Sequence, residues 1–352
     1  MPSQSQGSAV TSLRSLNNLP EPVGWILVVR RVGRWSAGDI QLSVTHTPGS
    51  AAALARSCHS LLPRLCSRNL SKFLYKEAEV DCRPGSVEDV LFVLDQGSGP
   101  AVVLLPILGS DHRMYAAQVE GLRDEFRCLA VDLRGCGESP TLDGVPEGDV
   151  LRTQAQDIVD ALDERGIESA HVVGISYGGV VAETLLLDHG ERVASAVICD
   201  SFCDTRPRGV PERLLMAGAK VQPLLFRLPK RWLVALERRL YRRWPEAGRA
   251  VADTLVNSRR DDLVKQRRAV NAIRLEDRLR HCVTPTLCLA GAAMPTGVTM
   301  MRRVHEALPV SEFMLIEDSV DPSNLCQPEL FTKTVAEWVR QHDSSSRGDL
   351  PR

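Results

Sequence analysis

The sequence contains no apolar run of the roughly 20 residues that a membrane-spanning helix requires. It has no secretory signal pattern, and none of its 10 cysteines stands in a C-x-x-C pair. These absences exclude a redox or zinc motif of that spacing and argue against a disulfide framework. We therefore expect reduced thiols in a cytoplasmic protein that carries no metal and no cofactor.

Acidic residues are scarce in two stretches, although the whole chain has a net charge of −1. Residues 1–76 hold nine Lys or Arg against two Asp or Glu, and residues 204–280 hold 20 against nine. Residues 1–76 are also Ser-rich, which is typical of an organellar targeting segment. Two alternatives remain for this stretch: a disordered extension, or sequence translated from upstream of the true start. The second stretch, residues 204–280, predicts either solvated helix faces or a basic surface that meets an anionic partner, substrate or membrane. We expect no nucleic-acid partner.

From about residue 77, short apolar strands alternate with helical patterns. This alternation predicts a doubly wound, mostly parallel sheet. The predicted strands are 90–95, 101–105, 127–131, 170–175, 193–199, 284–291 and 312–316, and the main helices are 113–123, 151–165, 180–187, 298–308 and 328–342. Residues 77–203 and 281–343 form the predicted core, 204–280 a helical cap, and 344–352 a loose tail.

Ser176 lies between Gly174 and Gly178, directly after an apolar strand and before a helix. This G-x-S-x-G pattern resembles the nucleophile elbow of the α/β-hydrolase superfamily, as does the D-x-R-G-x-G-x-S turn at 132–139. The resemblance implies an α/β-hydrolase fold with Ser176 as the nucleophile. It also implies a pocket and oxyanion hole built from Ile107, Leu108 and Tyr177.

The partners that would activate a serine are missing from their usual places. In this superfamily an acid and then a histidine follow the nucleophile along the chain. Met294 stands in the acidic position, and Asp321 stands where the histidine would be. A carboxyl group with the ordinary pKa of about 4 is a weak base for a serine unless burial raises that pKa. His112 and Asp200 are the alternative base and acid, since each follows a strand at the active edge.

A closer resemblance is to the maspardin family. The stretch 199–205, Cys-Asp-Ser-Phe-Cys-Asp-Thr, and the Leu325-Cys326 pair after the last strand resemble its motifs. That resemblance implies an adaptor without catalysis that binds partner proteins on endosomal or Golgi membranes. The basic segment 1–76 and the turn at 132–139 depart from that family.

Three functions remain open from the sequence. The first is a binding protein that keeps the fold and takes a protein partner, or a small apolar or ester ligand under the cap. The second is an esterase- or lipase-like serine hydrolase that uses Ser176 with an unusual base and acid. The third is an isomerase or cyclase of the same fold, which would use the pocket without an activated serine.

Overall fold

The computed structural model describes residues 26–31, 40–45 and 90–343. Its contacts divide the chain into two units, Met1–Arg83 and Pro84–Arg352. In the first unit, β1 (Ile26–Arg31) and β2 (Ile40–Thr45) form an antiparallel pair. Apart from these two strands, the predicted extension 1–76 and the predicted tail 344–352 lie outside the described residues.

The second unit is built on a seven-stranded sheet in the order β3-β5-β4-β6-β7-β8-β9. Its strands are β3 (Val93–Gln96), β4 (Ala101–Leu105), β5 (Arg127–Val131), β6 (Ala170–Ile175), β7 (Val193–Cys199), β8 (Thr286–Gly291) and β9 (Ser311–Ile316). Only β3 pairs antiparallel; the other strands run parallel. The predicted fold class is confirmed.

Helices cover both faces of this sheet, and the apolar side chains of each central strand divide between them. Val103 and Leu105 belong to one buried cluster, whereas Val102 and Leu104 belong to the other. The helices of the core are α1 (Ala116–Leu122), α2 (Val150–Asp163), α3 (Tyr177–Asp188), α9 (Pro295–Ala307), α10 (Ser323–Cys326) and α11 (Pro328–His342). Burial on both faces explains why the central strands are continuous apolar runs.

Between β7 and β8 the chain forms the helical segment that the sequence predicts over 204–280. Its helices are α4 (Val210–Leu225), α5 (Lys230–Leu240), α6 (Pro245–Asn257), α7 (Arg260–Val270) and α8 (Glu276–Leu279). Helical spacing over 233–244 and 262–274 predicts helices close to α5 and α7. It does not predict α4 and α6, because prolines stand in or beside both. Pro211 and Pro245 occupy first-turn positions that tolerate proline, while Pro223 lies near the end of α4.

Among the described residues, no helix combines the length and the apolar character needed to span a bilayer. The seven cysteines of this part of the chain are all free thiols, and six of them are buried. Cys128, Cys199 and Cys288 lie in strands, where they pack as small apolar side chains.

Candidate active site

The backbone at Ser176 makes a sharp turn between β6 and α3. Its φ of 53° and ψ of −112° lie in a region that side chains other than glycine seldom occupy. Gly174 and Gly178 allow the close approach around it. A Cβ on Gly178 would lie 2.2 Å from the carbonyl oxygen of Leu105, at the end of β4. The turn therefore presents the Ser176 hydroxyl at the carboxyl edge of the sheet.

Asp321 lies in the loop that joins β9 to α10, and this loop reaches the elbow. The Ser176 Oγ donates a hydrogen bond of 2.7 Å to Asp321 Oδ2. The second carboxyl oxygen, Oδ1, is buried and has no hydrogen-bond partner among the described residues. The group that stands in the histidine position is thus in direct contact with the serine, in the geometry that proton transfer requires.

The surroundings of Asp321 change its acidity. Burial, followed by the negative charge of Asp200, raises the pKa of Asp321 to about 8. The hydrogen bond from Ser176 and the positive charge of Arg267 act in the opposite direction. The ordinary pKa near 4, which argued against this residue as a base, therefore does not apply in the folded protein. The carboxylate has a basicity at least equal to that of an ordinary histidine.

Asp200 follows β7 with a φ of 51° and fixes the loop that carries Asp321. Its Oδ1 accepts the backbone N–H of Gly291 at 2.8 Å, and its Oδ2 accepts that of Ser323 at 2.8 Å. Both oxygens are therefore engaged by backbone amides rather than by a histidine. The carboxylate ties the ends of β7 and β8 to the start of α10, two residues beyond Asp321.

Met294 caps the start of α9, and its N–H lies 3.4 Å from the carbonyl oxygen of Gly291. A thioether carries no charge and donates no hydrogen bond. Met294 therefore cannot orient a base in the way that an acid at this position would. Nothing in its contacts gives it a chemical role.

His112 lies after β4, and its contacts are with Asp132 and Phe92. Its Nδ1 is 2.8 Å from Asp132 Oδ1, and its backbone N–H donates to the same oxygen at 2.7 Å. Its ring stacks 4.8 Å from that of Phe92. No hydrogen bond joins His112, or any other histidine of the described residues, to Ser176. Because Asp132 also accepts the N–H of Glu138 at 2.9 Å, this cluster organises the turn at 132–139.

One group of side chains in the described part of the chain has the spacing of metal ligands. Donor atoms of Asp111, His112 and Asp132 lie within 4.8 Å of one another. The Asp111 carboxylate is already paired with the Arg113 guanidinium at 2.5 Å, and Asp132 accepts two backbone amides. Both carboxylates therefore have hydrogen-bond or ion-pair partners within the protein, and the arrangement does not require a bound cation.

The predicted pocket residues Ile107, Leu108 and Tyr177 flank the elbow. Tyr177 begins α3, where the first N–H groups have no acceptor within the helix. Its phenol is turned into the core and donates to Gln154 Oε1 at 2.7 Å. The N–H of Ile107 donates to the Met114 sulfur at 3.3 Å. Leu108 is the next residue along the same loop.

The cap contributes contacts that the sequence did not predict. The Tyr241 hydroxyl, at the end of α5, donates to the backbone carbonyl of Asp321. Trp244 Nε1 donates to the carbonyl oxygen of Asp318 at 2.9 Å. Arg243 pairs with the Asp318 carboxylate at 2.7 Å. The end of α5 is therefore fastened to the loop that carries Asp321.

Arg267 is a further cap residue that sequence reasoning missed. It lies on α7, and burial lowers its pKa to about 10, while the nearby charge of Asp321 acts to raise it. Its Nε donates to the carbonyl oxygen of Ala219 at 3.4 Å. The excess of basic residues over 204–280 was the signal available, but it does not show which of 20 cations turns inward.

A model of the alpha/beta hydrolase family matches residues 102–338, well over half of the chain. The chain belongs to the alpha/beta hydrolase family. The superfamily resemblance that the elbow carries in the sequence is confirmed. Family membership sets the fold and the edge of the sheet where chemistry takes place, while the activity depends on the residues described above.

Individual relatives of this family are similar over about 70% of this chain. The chain is 27% identical to 3-oxoadipate enol-lactonase 1 of Acinetobacter baylyi over 246 residues, covering 69% of this chain and 90% of the relative. A thermophilic esterase from Thermogutta terrifontis superposes with a TM-score of 0.59 at 25% identity, covering 72% and 94% of the two chains. The enol-lactonase from Burkholderia xenovorans LB400 superposes with a TM-score of 0.59 at 25% identity. The match covers 71% of this chain and 96% of that one. These relatives bear the names of enzymes, and the comparisons do not show a closer kinship with maspardin.

Proposed function

We propose that this protein is a serine hydrolase in which Ser176 is the nucleophile and Asp321 is its general base. The observation that carries the proposal is the 2.7 Å hydrogen bond from Ser176 Oγ to a buried carboxyl group with a pKa of about 8. The similarity to an esterase and to enol-lactonases supports substrates that are esters, cyclic esters included. Of the functions left open by the sequence, these relatives favour the hydrolase over the binding protein.

The reaction begins when the Asp321 carboxylate takes the Ser176 proton as the oxygen attacks the ester carbonyl. In this proposal the backbone N–H groups of Tyr177 and Leu108 donate to the oxyanion that develops. The protonated Asp321 then gives its proton to the departing alkoxide. Asp321 then takes a proton from a water molecule as the water oxygen attacks the acyl carbon. The bond to Ser176 Oγ breaks, the acid leaves, and the proton on Asp321 returns to the serine oxygen.

Asp200 and Arg267 set the basicity of Asp321 from opposite sides. The charge of Asp200 favours a proton on Asp321, and the charge of Arg267 favours its loss. A general base works best when its pKa is near the working pH. We assign Asp200 and Arg267 as positioning residues, because each acts through Asp321.

The decisive experiment is labelling with a fluorophosphonate probe, since such a probe needs an activated serine and no knowledge of the substrate. Wild type and the Asp318→Asn control should be labelled, whereas Ser176→Ala should not. Asp321→Asn should be labelled at least 100-fold more slowly, because removal of a general base typically costs 10²–10⁴ in rate. Asp318 lies in the same loop but is exposed, so its substitution controls for disturbance of the loop.

Replacing Asp321 by histidine separates the two interpretations of the site. If the position supplies the base, Asp321→His should retain labelling, with the midpoint of its pH dependence near the histidine value of about 6.5. A folded wild type that is never labelled, together with an Asp321→His variant that is, would show that Asp321 cannot act as the base. Wild type would then be the binding protein that the sequence also allowed.

A further inference from the structure

The α5 helix exposes a stripe of large apolar side chains. Trp232, Leu236 and Leu240 follow one another at intervals of four residues, so they lie along one side of the helix. Their exposed fractions are 59%, 48% and 62%, and no residue of α5 is fully buried. Single exposed apolar residues are ordinary, but a row of them on one helix indicates a surface that is covered in use.

Further apolar side chains are exposed in the residues that precede α5. These are Leu224, Leu225 and Leu228, which are also exposed. Phe226, between them, is buried and anchors this corner of the cap. Lys230 fastens the start of α5, since its Nζ donates to the carbonyl oxygens of Val256 at 2.6 Å and Ser258 at 3.1 Å. The apolar surface is therefore held on a fixed scaffold.

The charge around this stripe is almost wholly positive. Residues 224–243 contain seven Lys or Arg and a single acidic residue, Glu237. Glu237 is half-buried, and burial raises its pKa. Five of the arginines are exposed and have no ion pair with an acidic side chain in the part of the chain that the structure describes: Arg227, Arg231, Arg238, Arg239 and Arg242. The surface thus joins an apolar stripe to free cations.

We propose that this face of the cap, residues 224–243, docks on an anionic lipid bilayer. Tryptophan and leucine beside arginine and lysine form the composition of helices that lie in the membrane interface. The apolar side chains would enter the boundary between headgroups and acyl chains, while the long arginines reach the phosphates. A second copy of the chain fits less well, because two such faces would bring 14 like charges together, twice the seven of one copy.

The docking face, residues 224–243, is connected to the loop that carries Asp321. Tyr241, Arg243 and Trp244 at the end of α5 bind the loop at 318–321. Docking would hold this edge of the cap at the lipid surface. The proposal does not depend on whether Ser176 is an active nucleophile.

Flotation of the full-length protein with vesicles tests the proposal. The vesicles contain phosphatidylcholine alone or phosphatidylcholine mixed with phosphatidylserine. Wild type should float with the mixed vesicles, and less so at high salt because the cations are screened. The triple substitution Arg231→Gln, Arg238→Gln, Arg242→Gln should lower the affinity by roughly fivefold per removed cation.

The apolar stripe is tested with a pair of matched variants. Trp232→Glu with Leu236→Glu places two carboxylates on the docking face and should abolish flotation. Val310→Glu with Leu330→Glu places them at exposed apolar positions outside the cap, at 45% and 43% exposure, and should leave it unchanged. Since residues 1–76 are also basic, the contrast between these two full-length variants isolates the contribution of the cap. Circular dichroism of each variant shows that it is folded.

Two results would overturn the proposal. One is equal flotation of the two double variants. In that case the lipid contact would lie in another part of the chain, such as residues 1–76. The other is that wild type does not float with the vesicles and is an oligomer in light scattering, whereas the variant Trp232→Glu with Leu236→Glu is a monomer. In that case the stripe joins copies of the chain.

Discussion

The carboxyl group of Asp321 owes its basicity to its surroundings, which gives the proposed reaction a distinctive pH dependence. With a pKa of about 8, it is mostly protonated at neutral pH and becomes a base only as the pH rises. We expect kcat/KM for an activated ester to rise about tenfold per pH unit up to pH 7 and to level off above about pH 8. Initial rates of p-nitrophenyl acetate hydrolysis from pH 5 to 10 measure this. A midpoint at pH 6.5 or below would contradict the assignment.

Arg267 tunes that midpoint in a direction that can be checked. Its positive charge lowers the pKa of Asp321, so Arg267→Gln should move the midpoint to higher pH and leave the plateau rate within a few fold. Arg268→Gln is the matched control, since Arg268 is the next residue, exposed, and 3.9 Å from Glu147. The pH profiles of kcat/KM for both variants, measured side by side, show whether the midpoint shifts in Arg267→Gln alone. A fall in the plateau with no change in midpoint would mean that Arg267 only supports the packing of the cap.

At the scale of the element, the elbow depends on the contact between β4 and the first turn of α3. A methyl group at residue 178 would lie 2.2 Å from the Leu105 carbonyl oxygen and 2.6 Å from that of Pro106. These are backbone atoms that cannot move aside, so Gly178→Ala should lower the free energy of unfolding by roughly 1–3 kcal/mol or more. Urea denaturation followed by circular dichroism measures the change.

Gly218 offers the opposite case within α4. A Cβ built there meets nothing within 4 Å, and alanine is favoured over glycine inside a helix by about 1 kcal/mol. Gly218→Ala should therefore leave stability unchanged or raise it slightly. Equal losses in both variants would show that the elbow has no special requirement for glycine at 178.

At the scale of the whole molecule, the carboxyl group of Asp321 makes the stability depend on pH. The folded protein holds the Asp321 proton more tightly than the unfolded chain does, because its pKa rises on folding. Its stabilising contribution is therefore complete below about pH 4 and is lost as the pH rises through about 8. Compared with Asp321→Asn, which cannot ionise, wild type should lose roughly a few kcal/mol more between pH 5 and pH 9. Urea unfolding of the two proteins at those pH values measures the difference, and parallel losses would contradict it.

The sequence by itself determined the sheet and the elbow, because their signals are local. The strands 101–105, 127–131, 170–175 and 193–199 are found at their predicted bounds. An apolar run followed by two glycines around Ser176 leaves few conformations other than a strand, a tight turn and a helix. The position of Asp321 after the last strand followed from the same order of elements.

Only the tertiary structure decided what Asp321 can do. The pKa of such a group depends on its burial and on the charges packed around it, and here those charges include Asp200 after β7 and the cap residues Glu237 and Arg267. Glu237 and Arg267 are more than 40 positions from Asp321 along the chain, and on their own helices nothing sets them apart from solvated neighbours. The sequence placed a carboxyl group beside the serine, but the value of its pKa, and hence its use as a base, depends on packing that no local pattern records.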